Sequence, residues 1–171
     1  MVTAPVVVLI GPPGAGKSTV GAALAARLGI GFHDTDAAVV AAVGRPISDI
    51  FIEDGEAFFR GLEATAVAKA LTEQRGVVAL GGGAPLDPLT RERLAGHTVV
   101  FLDVGIADAA KRVGFDRSRP LLAVNPRAAW IALMKDRRPV YEGLATFRVD
   151  TAGRSARDVA DEIAILLAEQ S

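Results

Sequence analysis

Short apolar runs separated by stretches with helical spacing dominate the chain. The runs at 6–10, 77–80 and 98–102 are continuous and rich in Val, Leu and Ile, as expected of strands buried on both faces. Shorter strand signals fall at 31–33 and 147–150. Between them the spacing predicts helices over 19–28, 37–44 and 47–52, then a longer one whose buried face carries Phe59, Leu62, Ala66, Ala70 and Leu71. Asp87 with Pro88, and Asn125 with Pro126, have the chemistry of a helix cap followed by a first-turn proline. The first of these helices ends at Gly96, and the second is expected to break or kink at Pro139. A helix over 107–113 lies between them, and Ser155 with Asp158 resembles a capping box for a terminal helix burying Val159, Ile163, Leu166 and Leu167. Five strands alternating with helices predict an α/β fold of three αβα layers around a five-stranded parallel sheet with right-handed crossovers.

Composition narrows the chemistry. At 171 residues, half of them apolar, the chain is one domain over 1–171 with a substantial core. A net charge of −1 gives no general attraction to nucleic acid or to an acidic membrane, so anion binding must come from placed residues. Absence of Cys excludes disulfides, thiol catalysis and thiolate zinc sites, and the two His, His33 and His97, are far apart. The first apolar run stops after five residues, too short for a leader or a span, so a cytoplasmic enzyme is expected.

The first run ends in Gly11-Pro12-Pro13-Gly14-Ala15-Gly16-Lys17-Ser18 and opens into a helix, the strand, turn and helix order of a P-loop. Successive N–H groups of such a loop and the helix N-terminus cradle phosphates; Lys17 reaches the β and γ phosphates and Ser18 faces Mg²⁺. Asp34 and Asp36 leave the second strand at its carboxyl end, where sheets of this kind bind ligands. Helix capping accounts for one of these acids but not for both. Arg60 and Glu63, three apart, can meet, either as an ordinary exposed pair or with a purpose. Gly81, Gly82 and Gly83 end a buried strand and let a ligand approach the main chain closely. A polar stretch from Gly114 to Pro120, carrying Arg117 and Arg119, has the make-up of a lid, placed over 113–125. A short chain without a second domain to drive points to a small-molecule kinase, with Arg60, Arg137 and the glycines forming a site for an anionic, hydroxyl-bearing acceptor.

The motifs resemble those of shikimate kinase along essentially the whole chain. The P-loop is shared by many families; more specific are Asp34-Thr35-Asp36, the stretch FIEDGEAFFRGLE at 51–63, Gly81-Gly82-Gly83-Ala84, Arg119-Pro120-Leu121-Leu122 and Arg137-Arg138-Pro139-Val140-Tyr141. The resemblance implies a sheet of the nucleoside monophosphate kinase type and transfer of the ATP γ-phosphate to the 3-hydroxyl of shikimate, in aromatic amino acid biosynthesis. It implies ATP binding by Gly14, Ala15, Gly16, Lys17, Ser18, Thr19, Arg112, Arg119 and Arg154, and Mg²⁺ binding by Ser18 and Asp34. It implies an acceptor-binding region over 34–63, and acceptor binding with Asp36 as base, Arg60 and Arg137 on the carboxylate, Gly81, Gly82 and Gly83 at the ring hydroxyls, and Phe51 and Phe59 as an apolar wall. Lys17, Asp36 and Arg119 are the implied catalytic groups, and Glu63 would lock the Arg60 guanidinium.

Two positions depart from the family pattern. Val39-Val40 stands where Ile-Glu is usual, and Ala156 where Pro is frequent, so affinity or stability is expected to respond and the reaction is not. Competing readings are another P-loop kinase such as a gluconate kinase, and a nucleotide-binding module without catalysis. Lys17, Asp36 and Arg119 all being present speaks against the latter. No heptads or interface strand are visible, and a monomer binding ATP and shikimate, without nucleic acid or membrane partners, is expected.

Overall fold

The computed structural model describes residues 4–113 and 125–170, with main chain only at 112 and 113. Five strands form a single sheet: β1 (Val7–Ile10), β2 (Phe32–Asp34), β3 (Val77–Ala79), β4 (Val99–Asp103) and β5 (Phe147–Asp150). Their spatial order is β2-β3-β1-β4-β5 and every pairing is parallel. β1, β3 and β4 are buried along their whole length, which is why they read as unbroken apolar runs. Because all strands point one way, their carboxyl ends share one edge. That edge carries the loop after β1, Asp34 at the end of β2 and the glycines after β3.

Eight helices cover the sheet among the described residues: α1 (Lys17–Leu28), α2 (Thr35–Val43), α3 (Ile47–Asp54), α4 (Glu56–Glu73), α5 (Pro88–Leu94), α6 (Ile106–Val113), α7 (Pro126–Leu144) and α8 (Ala156–Gln170). α1 packs on α8, while α2, α3 and α4 pack on one another. Those three helices enclose a small cluster of their own, Val39, Ile50 and Phe59, apart from the main core around the sheet. The three helices are thus a subassembly attached to the sheet edge.

Local chemistry explains the boundaries. Gly16 precedes α1 with φ 87°, a left-handed conformation that glycine adopts without strain, and it turns the chain from loop into helix. Asp87 and Asn125 cap α5 and α7 through their side chains, and Ser155 Oγ accepts from Asp158 N–H at the start of α8. Three expectations need correction. α7 is not broken at Pro139 and runs through it to Leu144: one intrahelical bond is lost there, but side-chain bonds from Arg138 and Tyr141 hold the segment on either side. The buried face of α4 includes Glu63 and Val67, whereas Leu62 and Ala66 are only half-buried against the small cluster. In α8 the fully buried residues are Val159, Ala160, Ile163 and Ala164, with Leu166 and Leu167 half-buried.

Candidate active site

The loop after β1 forms one wall of a cavity of about 600 Å³. Gly14, Ala15, Gly16, Lys17, Ser18 and Thr19 all line it. Lys17 Nζ donates to the carbonyls of Gly11 at 2.7 Å and Pro12 at 3.1 Å, which folds the ammonium over the loop it belongs to. Arg154 closes the far side, anchored by Glu162 at 2.8 Å and by the Asp150 carbonyl at 2.9 Å.

Asp34 is divided between two tasks. Its Oδ1 caps α2 by accepting from the N–H of Asp36 at 2.9 Å and of Ala37 at 3.3 Å. Its Oδ2 accepts from the Ser18 hydroxyl at 2.5 Å. Capping and the P-loop contact therefore use different oxygens of one residue. Because α2 starts at Thr35, Asp36 lies in its first turn, and Thr35, fully buried, accepts from the Gly81 N–H at 3.3 Å. The two acids are delivered by a strand end and a helix start, locked to the end of β3.

A second cavity of about 490 Å³ opens beside the first, and Pro13, Ser18, Asp34, Asp36 and Gly82 line both. Its other walls include Phe51, Phe59, Arg60, Glu63, Gly83 and Arg137. The Arg60 guanidinium lies 5.4 Å from the Phe59 ring centre and 6.0 Å from that of Phe51, and the two rings are 4.9 Å apart. Arg60 pairs with Glu63 at 2.8 Å and with Glu56 at 3.3 Å. The Glu63 side chain is only 4% exposed, which rules out an ordinary surface pair. Burial pushes the Glu63 carboxyl up, as does nearby Asp36, while Arg60 and Arg137 oppose the rise. Arg137 lines this cavity and is largely buried, and its Nε finds no acceptor among the described residues.

Gly81 lines neither cavity; its N–H is spent on Thr35, so of the three glycines the structure brings Gly82 and Gly83 to the second cavity. The Arg112 side chain, Arg119 and the lid stretch 114–124 lie outside the described residues.

Known proteins resemble the chain in sequence and in fold. The family model for shikimate kinase matches residues 13–168. The chain belongs to the shikimate kinase family. A shikimate kinase of Salinispora arenicola is 57% identical over 96% of this chain and 99% of its own, and one of Thermobifida fusca is 56% identical over 96% and 95%. The structure of an Acinetobacter baumannii shikimate kinase in complex with shikimate superposes with a TM-score of 0.94 at 35% identity, covering 99% of this chain and 95% of that one.

Within this shikimate kinase fold, Val40 lines the second cavity as an apolar wall and Ala156 lines the first, so both departures from the family pattern lie at the site. Three contributors escaped the sequence reading: Thr35, Trp130 and Tyr141. Trp130 Nε1 donates to the Pro13 carbonyl at 3.1 Å and the Tyr141 hydroxyl to the Gly82 carbonyl at 2.5 Å. Thr35 and Tyr141 stand inside the motifs, but hydrogen bonds to a distant main chain leave no mark on periodicity. Among the described residues no cluster of three or more His, Cys, Asp or Glu could hold a metal by itself.

Proposed function

We propose that this chain transfers the γ-phosphate of ATP to the 3-hydroxyl of shikimate, giving shikimate 3-phosphate. The observation that carries the reading is the shared border of the two cavities: a phosphate cradle on one side, an arginine-lined pocket on the other, and Asp34 and Asp36 between them. Phosphoryl transfer needs the acceptor oxygen in line with the bond to be broken and charge stabilised around it, so most of the protein's work is positioning and electrostatics.

Lys17 with the loop N–H groups holds the β and γ phosphates. Ser18 Oγ and Asp34 Oδ2 are hard oxygens already in contact, a donor set that suits Mg²⁺ carrying phosphate and water ligands. Bound there, Mg²⁺ would neutralise charge on the phosphates. Asp36, on the border, accepts the proton of the attacking hydroxyl. Arg137 and Arg60 take the shikimate carboxylate; Glu63 fixes the angle of Arg60, and Phe51 and Phe59 face the ring. The N–H groups of Gly82 and Gly83 address the hydroxyls, and Arg119, by its place in the family motif, stabilises the phosphoryl group in transit. Arg154 and Arg112 flank the adenine. ATP as co-substrate supports a cytoplasmic setting.

The deciding experiment is ADP release from MgATP with shikimate, gluconate, quinate or no acceptor. Strong shikimate-dependent release over a low background is expected. Nucleotide binding without turnover on any acceptor would point to a non-catalytic module, and turnover on gluconate or quinate would mean the acceptor pocket has a different substrate.

A further inference from the structure

α7 reaches both halves of the site with residues from one face. Trp130 and Tyr141 are eleven residues apart, close to three turns, so they project from the same side about 16 Å from each other along the axis. Arg137 stands one turn before Tyr141 on that face, and its side chain also donates a hydrogen bond to the Tyr141 hydroxyl, a second contact from Tyr141 to the acceptor side. Trp130 is 4% exposed and Tyr141 fully buried. Each spends its one polar hydrogen on a main-chain carbonyl of a different wall: Trp130 on Pro13 at 3.1 Å, in the phosphate loop, and Tyr141 on Gly82 at 2.5 Å, in the glycine strand end.

The choice of carbonyl has a consequence one residue further on. Among the described residues every peptide is trans, and in a planar trans peptide the C=O and the N–H of the next residue point in opposite directions. Pulling the Pro13 carbonyl towards Trp130 aims the Gly14 N–H the other way. Pulling the Gly82 carbonyl towards Tyr141 does the same to the Gly83 N–H. Gly14 lines the first cavity and Gly83 the second. Both carbonyls belong to glycine-rich segments, where the intrinsic cost of rotating a peptide is low and an external tether has most to fix.

We propose that Trp130 and Tyr141 are positioning residues, Trp130 orienting the nucleotide-binding loop through the Pro13–Gly14 peptide and Tyr141 orienting the acceptor-binding strand end through the Gly82–Gly83 peptide. α7 then acts as a common ruler for donor and acceptor. Which substrate each limb serves rests on the shikimate kinase reading above. A role in core packing alone would loosen both halves together, whereas two separate tethers predict effects that separate by substrate.

The test is a steady-state comparison of Tyr141→Phe, Trp130→Phe and the unaltered protein, with thermal melts alongside. Loss of one such hydrogen bond is expected to raise the shikimate KM of Tyr141→Phe by about five- to tenfold, with the MgATP KM within about twofold and kcat falling less than the shikimate KM rises. Trp130→Phe should show the mirror pattern, with the MgATP KM raised and that of shikimate held. Should Trp130→Phe fail to fold, benzothienylalanine at position 130 keeps the bicyclic shape and removes only the N–H. Unchanged constants, or both constants raised alike in both variants, overturn the proposal. Calorimetric titrations with ADP and with shikimate read the same separation independently of turnover. Absence of shikimate-dependent turnover in the unaltered protein would therefore count against the reaction, and absence of the separation against α7.

Discussion

The three glycines after β3 show what one residue contributes when it lacks a side chain. None of them has a positive φ, so backbone freedom is not their purpose. A Cβ on Gly81 would lie 2.5 Å from Asp36 Oδ1 and 2.7 Å from Glu63 Oε2, and one on Gly83 would lie 2.4 Å from the Arg60 guanidinium. A Cβ on Gly82 would meet Arg137 at 3.2 Å. The sequence marks this as a place where a ligand can approach the main chain closely. The groups that approach are the protein's own charged side chains, brought from α2, α4 and α7, and no local pattern announces partners so far along the chain. Gly81→Ala therefore pushes the inferred base and the carboxylate that orients Arg60 apart without straining the backbone. The expected cost is about 1–3 kcal/mol of stability from overpacking, against a fall in kcat/KM of about a hundredfold from the misplaced groups. Shikimate-dependent turnover and a melt on the same preparation check this; a large loss of melting temperature with normal kcat/KM would contradict it.

At the level of elements, the strands and most helices were legible because burial on both faces writes an unbroken apolar run and caps write their own residues. What was not legible follows from main-chain contacts. β4 extends to Asp103 because it stays in register with Asp150 of β5, although hydrophobicity stops at Leu102. α7 passes Pro139 because tertiary bonds outweigh the local rule. Gly76, which drew no attention in the sequence, sits where a Cβ would be 2.0 Å from the Gly31 carbonyl oxygen, and that same carbonyl accepts from the Val77 N–H at 2.9 Å. Replacing a glycine by Ala usually gains about 0.4–1 kcal/mol by restricting the unfolded chain. Here the clash is with backbone, which no rotamer change relieves, and an overpacking cost of about 1–3 kcal/mol wins. Gly76→Ala should lower stability in denaturant unfolding and, by forcing β2 from β3, displace Asp34 enough to weaken Mg²⁺-dependent ADP binding. A variant as stable as the unaltered protein would show that the two strands can separate freely at that end.

The whole molecule is tied together at Asp103, an acid the sequence reading passed over as the residue after a strand. Its side chain is 7% exposed and accepts from Arg138 on α7 at 2.8 Å and 3.0 Å and from Arg148 on β5 at 2.9 Å. Its main-chain carbonyl accepts from Thr151 Oγ1 at 2.9 Å. One carboxylate thus joins two strands to the helix that carries Arg137, the neighbour of Arg138. Burial by itself would raise its pKa; the two guanidinium groups outweigh burial and hold it below the ordinary 3.8. A carboxyl with a depressed folded pKa binds its proton less tightly in the native state than in the unfolded one. Its stabilisation is therefore complete above the unfolded value and is lost as pH falls through the folded one. Bonds to charged groups contribute about 1.5–3 kcal/mol each at best, and the half-exposed Arg148 lies well below that because solvent screens it. Asp103→Asn, which keeps the shape and removes the charge, should cost about 2 kcal/mol at neutral pH, or roughly 4–8 °C in melting temperature for a chain of this size. The difference from the unaltered protein should shrink as the solution is acidified below pH 3.8 and Asp103 itself takes up a proton. Denaturant unfolding of both proteins at neutral pH and in acid measures it, and a gap that stays constant across that range would show that the ion pairs are not what holds α7 to the sheet.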